Sequence, residues 1–589
     1  MDVLRIGGAC AFWGDSALGI DQLLASDAVD VLVFDYLAEL TMSLLARARA
    51  KDPGAGYATD FVSGVAPHLP TIARKKIKLL SNAGGIHPQA CARALQAAAE
   101  AAGVQLNIVV VEGDDLLPQV DAIRAAGVRE MFSGAPLPER LTSMNAYLGA
   151  GPIARALALG ADVVITGRCV DSALALGALM HHFGWTPQEH DKLAAGSLVG
   201  HLLECTTQTT GGLYTDWLDI PDGPDGADIG YPIAECRANG EFVLTKPAGT
   251  GGRVAPLVAA EQMLYEIADP GAYMLPDVCC DFTGVRLEHA GADRVLVSGA
   301  RGAAPSDSYK VSATWHDGYR ISSTLTIVGE DAVAKAGRVG EAILARTRRM
   351  FVRDGIVDYD ETLIEVLGSE VPSYGAQARG QQSREVVLRV TCKHASAAAL
   401  GMLAREFAPF GTAGAPGTTG FSGRPKPQPV FRLHSFLWRK AALVQRLSGE
   451  SIESCEVPPP DPGAGAPHRP ARYESVAPAS GVSRRVRLSE LAVARSGDKG
   501  DSVNIAVIAR EPRFVAPIAR ALTPERVADV FSHLVRGAVT RYDVPGVGGF
   551  NFVLQQALGG GGAASLRNDP LGKAFAQILL AVELDAPAE

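Results

Sequence analysis

Residues Ala494 to Val507, "ARSGDKGDSVNIAV", place an arginine, a lysine and two Gly-Asp pairs in one short stretch ahead of a strand-like run. Arg495 and Lys499 offer cations, Asp498 and Asp501 offer carboxylates, and glycine lets the backbone approach another group closely. This set suits the grip of an anion or a substrate. Gly-Asp pairs alone also make ordinary turns in which the carboxylate bonds its own backbone. A second polar loop, "ALGGGGAASLRNDPLGK", carries Gly560, Gly561 and Arg567; a glycine run before a helix-like segment can cradle an anion or serve as a flexible surface loop.

Four further loops carry residues of the same kind. "GGACAFWGDS" supplies Gly14 and Asp15, and "SNAGGIHP" supplies Asn82, Gly84 and Gly85 with Pro88 placed to open a helix. "ITGRCVDSA" offers Arg168 as a clamp for carboxylate or phosphate, and Asp171 either as a proton-transfer group or as a helix cap. "ECTTQTTGG" and "KPAGTGGR" bring Glu204, Gly211, Gly212, Gly251, Gly252 and Arg253 into one region, with Cys205 read as a buried structural thiol for want of an assignable histidine.

These loops need elements to hold them. Apolar, β-branched runs at "VLRIGG", "VDVLVFDY", "KIKLLSN", "LNIVVVEG" and "DVVITG" alternate with helical patterns such as "LAELTMSLLARARA" and "PQACARALQAAAEAAG". The fold class predicted is α/β: a doubly wound parallel sheet over residues 1–240, with ligands bound beyond the carboxyl ends of its strands. An α+β section follows over 241–454, in which "SYKVSATW" and "YRISSTLTIVG" read as two strands. Residues 455–483, rich in Pro, Gly and Ala, read as an exposed linker, and 484–589 as a small α+β C-terminal domain.

Bulk properties exclude several functions. The 589 residues carry a net charge of -9, with short scattered basic runs that leave no footprint for nucleic acid. No apolar run approaches the roughly 18 residues of a membrane span, and no signal-peptide pattern opens the chain, so a cytoplasmic protein with reduced thiols is expected. No metal site is expected, because no Cys or His spacing fits a ligand set. "GGACAFWGDS" breaks the dinucleotide fingerprint, no acidic residue is assigned to the end of a second strand, and no phosphate-loop motif occurs.

In this order the loops resemble the acyclic terpene utilization A (AtuA) family. The main family domain corresponds to about Leu4 to Leu447, and the tail resembles the AtuA-like C-terminal domain. Thr206 stands where a small residue is expected and His87 where Asn is more usual, departures that bear on substrate more than on fold. The resemblance implies a role in catabolism of branched, terpenoid-type acids as coenzyme A thioesters. It suggests hydration or dehydration, with Asp15, Asp171, Glu204 or Asp498 as acid and base and Arg168, Arg253 or Lys499 on phosphate or carboxylate. Coenzyme A would enter as part of the substrate, with no separate cofactor, and a homo-oligomer is expected. The alternative reading is a non-catalytic binding or assembly subunit.

Overall fold

Short apolar segments between amphipathic helices build the centre of the main sheet. The computed structural model describes residues 2–26, 28–221, 228–421, 423–450, 452–463, 473, 483–562 and 564–587. Strands β1 (Val3–Cys10), β2 (Val31–Phe34), β3 (Lys78–Ser81), β4 (Ile108–Glu112) and β6 (Val163–Thr166) run parallel, whereas β5 (Ser143–Ala146) joins a second sheet. Their order is β1-β2-β3-β6-β4, so the chain skips a place after β3 and β6 returns to fill it. Right-handed crossovers then force the helices before and after this reversal onto opposite faces. Phe61, Leu95 and Ile20 pack on one face, while Ile153, Leu176 and Leu198 pack on the other. Covered on both sides, β2 and β6 have no exposed residue, which is why they read as unbroken apolar runs.

This parallel core is the middle of an eleven-stranded mixed sheet. Antiparallel strands extend both edges, starting with Ile233–Arg237 against β1 and Gln445–Gly449 against β4. The segment Ile452–Val457 pairs with Gln445–Gly449, so Cys455–Val457, read from sequence as linker, is edge strand. Of the remaining linker, Tyr473 is described: its N–H donates to Asp543 at 3.1 Å and its ring lies 5.1 Å from Phe550. The rest of 464–482 lies outside the described residues.

The α+β section differs from its sequence reading in one respect. The two expected strands are a single one, Ser308–Val328, whose register breaks between His316 and Tyr319. Its first half pairs with β5 and Gln428–Arg439 and its second with Glu385–His394, under the helices Ala332–Asp354 and Ala397–Glu406. Gly318, at φ +74, lets the backbone turn at the break without a Cβ meeting the His394 carbonyl.

The C-terminal domain is a four-stranded antiparallel sheet in the order Ala492–Lys499, Ser502–Ala509, Gly549–Leu554, Val539–Val544. The "RSGDK" residues are themselves strand, and only Gly500, at φ +66, and Asp501 turn between Lys499 and Ser502. Val493, Ala506 and Ile508 on one face of this sheet join the core of the main domain. Two buried asparagines lock the junction. Asn504 accepts from the Glu266 N–H at 2.9 Å and donates to the Leu264 carbonyl at 2.7 Å, while Asn551 donates to the carbonyls of Ile267 and Ala268. Asn504 also donates to Asn551 at 2.9 Å, so the pair is tied as a unit.

Replacing Asn504 by Ala strands the Glu266 N–H and the Leu264 carbonyl in a buried junction. The expected loss is about 2–3 kcal/mol of stability in denaturant unfolding. Unchanged unfolding in Asn504→Ala would show that apolar packing alone holds the domains together.

Candidate active site

Three carboxyl groups from separate segments meet beyond the carboxyl ends of the parallel strands. Asp35 directly follows β2, Asp171 lies in the loop after β6, and Glu204 ends the helix His190–Glu204; each offers an oxygen within 4.8 Å of the others. The helix can arrive there because Gly8 in β1 has no Cβ, which would sit 2.5 Å from the Leu203 carbonyl. Asn82, just past β3, orients the first acid: its side-chain amide donates to Asp35 Oδ1 at 2.6 Å and accepts from the Tyr36 N–H at 2.7 Å. Arg168, 4 % exposed, donates to Asp171 at 2.8 Å and stacks its guanidinium 4.2 Å from the Tyr147 ring centre. Its own N–H donates to the buried Asp114, which also receives Asn145.

Burial sets the proton affinities. Asp35 is pushed well above the ordinary carboxylate range by loss of solvent and by the charge of Asp171, an effect Arg168 and Asn82 only partly offset. Glu204 is raised by burial too, against the opposing pull of His201. Burial alone would lower His201, but the charge and contact of Glu204 bring it above its usual value. His201 Nε2 lies 3.1 Å from the Met263 carbonyl, which can only accept, so Nε2 carries hydrogen and Nδ1 faces Glu204 at 3.0 Å. His201 and Glu204 thus face each other as a buried ion pair. The cluster reaches solvent through Asp171, 27 % exposed, and Glu204, 11 % exposed.

The C-terminal domain contributes from the same chain. Arg495 donates to Gln208 and to the carbonyls of Gly212 and Leu213, and its guanidinium lies 5.0 Å from the Tyr265 ring centre. Lys499 lies 3.8 Å from Glu266, and its charge acts on both Glu204 and His201. Lys573 donates to the Tyr265 hydroxyl and lies 3.7 Å from Asp498. The thiol of Cys205, between Glu204 and Glu266 electrostatically, is driven upward by burial and by both carboxylates, which favours its protonated form.

Asn82, Arg168, Asp171, Glu204, Arg495, Asp498 and Lys499 thus come together around one junction. Asp171 does not cap the following helix; it pairs with Arg168, and Ser172 occupies the cap position. Asp15 accepts from Ala11 and Ser16 in its own turn, with Gly14 at φ +102 beside it. Gly84 and Gly85 serve close packing, a Cβ at Gly84 meeting the Thr166 carbonyl at 2.5 Å. Gly211, Gly212, Gly251 and Gly252 close the two Thr-Gly-Gly turns on each other through Arg253 N–H to Thr210, and the Arg253 side chain is exposed. Asp501 accepts from Leu558 and Gly560, Arg567 donates to Ala557 and Leu534, and Gly561 packs on the Gly500 carbonyl. That second glycine loop is anchored instead by Arg320 and Arg389 of the α+β section, through the carbonyls of Ser565 and Leu566.

Asp35 is the acidic residue at the end of the second strand that sequence reading left unassigned; its signal is its position directly after the apolar run "VLVF". His201 and Glu266 were also unassigned to the site, and only chain packing reveals them; Lys573 belongs to the second polar loop, and packing brings it to Glu266. The three carboxylates span a distance suited to a hard divalent cation, a ligand type that a search of Cys and His spacing does not cover. A mostly apolar groove of about 580 Å³ between Leu257 and Val515 contains none of the clustered acids.

A mixed sheet with acids at its carboxyl edge and an appended small domain completing their surroundings defines a two-part α/β protein. The chain belongs to the acyclic terpene utilisation family AtuA: the family's sequence pattern matches residues 4–448, and the AtuA ferredoxin-like domain matches 486–585. No curated protein matches it. No helix among the described residues is long and apolar enough to cross a membrane.

Raised acids make stability depend on pH in a definite direction. Glu261, buried beside Thr215 at the domain junction, is pushed to about 7 by burial. Between the unfolded carboxylate range and that value the folded chain keeps a proton that the unfolded chain releases, so stability falls as pH rises and then levels off. Asp35 and Glu204 act in the same sense. Melting temperatures should therefore drop between about pH 5 and pH 7, and Glu261→Gln should flatten the slope. An unaltered slope in that variant would assign the effect to the other acids.

Proposed function

We propose that the chain is a catabolic enzyme that adds water to, or removes it from, a branched or terpenoid-type acyl-CoA thioester. The observation that supports this most is the pairing, within 4.8 Å, of acids inclined to hold protons with an acid ion-paired to arginine. Elimination of water needs both: a base to take the proton α to the thioester, and an acid to protonate the departing β-hydroxyl. Asp171, oriented by Arg168, takes the role of the base. Glu204 gives its proton to the hydroxyl, which leaves as water, and recovers one from His201; Asp35 is the second proton reservoir. Hydration is the same sequence reversed. Family membership supports the branched, terpenoid substrate class. Coenzyme A enters as part of the substrate, and the reading includes a cytoplasmic location.

Calorimetric titration with coenzyme A and a short branched acyl-CoA, followed by a hydration assay, tests the proposal. Asp171→Asn and Glu204→Gln should each lower turnover by about 10²–10⁴ with the fold intact. Folded variants that retain full turnover would remove these acids from the mechanism.

The exposed apolar residues Leu213, Trp217 and Leu218, 67–78 % exposed beside the domain junction, favour a second reading as an assembly subunit forming a homo-oligomer. Light scattering on Trp217→Arg should then show a smaller particle than the parent chain. An identical mass would count against assembly through this segment.

A further inference from the structure

The loop that follows helix Pro256–Met263 carries a glutamate in a conformation that suits it poorly. Glu266 has φ +58, a left-handed backbone that costs an L-residue about 1–2 kcal/mol and that glycine or asparagine adopts more readily. The junction enforces this geometry, since Asn504 of the C-terminal domain takes the Glu266 N–H. The side chain so delivered lies 3.8 Å from Lys499 and 3.6 Å from Lys573. Both separations exceed the roughly 2.7–2.9 Å of a direct charge-assisted hydrogen bond. The lysines are 46 % and 38 % exposed, on flexible stems, and Lys573 also donates to the Tyr265 hydroxyl and lies 3.7 Å from Asp498, so an incoming anion would share it with those groups. Lys499 also acts electrostatically on Glu204 and His201, which places this group at the edge of the acid cluster.

We propose that Glu266 is an internal substitute for the anionic group of the substrate: it holds Lys499 and Lys573, and a bound carboxylate or phosphate takes the two lysines from it. The exchange conserves charge pairing, one anion replacing another on the same two cations, and Glu266 turns to solvent. Glu266 therefore sets a threshold that weakly binding anions fail to pass. The choice of anion rests on the acyl-thioester reading: the phosphate would be that of coenzyme A, and the carboxylate that of a free branched acid.

Binding is measured by calorimetry with coenzyme A and, separately, with a branched short-chain carboxylate, using the full chain. Glu266→Gln should bind one of these about three- to tenfold more tightly, and Lys499→Met should bind it weaker by a similar factor. The double variant should lose the gain, which a double-mutant cycle reads directly. The probe that responds distinguishes phosphate from carboxylate. Tighter binding by Glu266→Gln without any hydration activity would uphold the anion exchange while removing the proposed reaction. Equal affinities for the parent chain and Glu266→Gln, or no binding of either probe, would overturn it. Should Glu266→Gln fold poorly, an unchanged affinity in the exposed Lys499→Met variant would overturn it equally.

Discussion

The return of β6 into the place between β3 and β4 is the constraint on which the site depends. Because the chain reverses direction there, the loops after neighbouring strands diverge to opposite faces and leave a crevice at the carboxyl edge. Asp35, Asn82 and Arg168 stand at the ends of three adjacent strands, and the crevice brings them within reach of Glu204 from the helix that crosses β1. Acids held so close and so far from water cannot all ionise cheaply. Proton affinity in this site is therefore a product of topology, with side-chain chemistry supplying only the groups.

The second domain turns that crevice into a composite site. Its sheet is laid on the main domain by apolar contact through Val493 and Ile508, and its register is set by the Asn504–Asn551 pair. Buried asparagines tolerate little displacement, since each carbonyl and N–H they satisfy would otherwise be stranded. Asn504 also holds the Glu266 N–H, so docking, backbone strain and the placement of Lys499 and Lys573 form one coupled arrangement. The glycine loop on the far side of the domain serves a different end, binding to the α+β section through Arg320, Arg389 and Glu365.

Glycines illustrate how one residue type does different work. Gly8 and Gly84 permit backbone approach, and Gly500 turns a hairpin. Thr206, at φ +43, occupies a left-handed position directly beyond Glu204 and Cys205, where a β-branched residue carries a backbone cost.

Much of the architecture was set by sequence alone, because a fully covered parallel strand must be apolar throughout and a helix on it must be amphipathic; the runs at "VLVF" and "VVIT" and the helix Pro88–Ala101 follow from that requirement. Arg168, Asp171, Glu204, Arg495 and Lys499 were legible as charged residues in glycine-containing segments, a signal shared by Asp15 and Asp501, which hold loop backbone instead. Their partners were not. Asp35 looks like the end of any strand, His201 like any core histidine, and the long strand Ser308–Val328 like two, because local periodicity carries no information about what packs opposite. Only the tertiary structure decided that Asp171 pairs with Arg168 instead of capping a helix, that Asp501 holds the second glycine loop through Leu558 and Gly560, and that Glu266 meets two lysines of another domain. The last two depend on contacts between segments far apart in the chain, and the first, between residues three apart, on how the loop after β6 is held against Asp114; proximity of that kind comes from the packing of the whole fold.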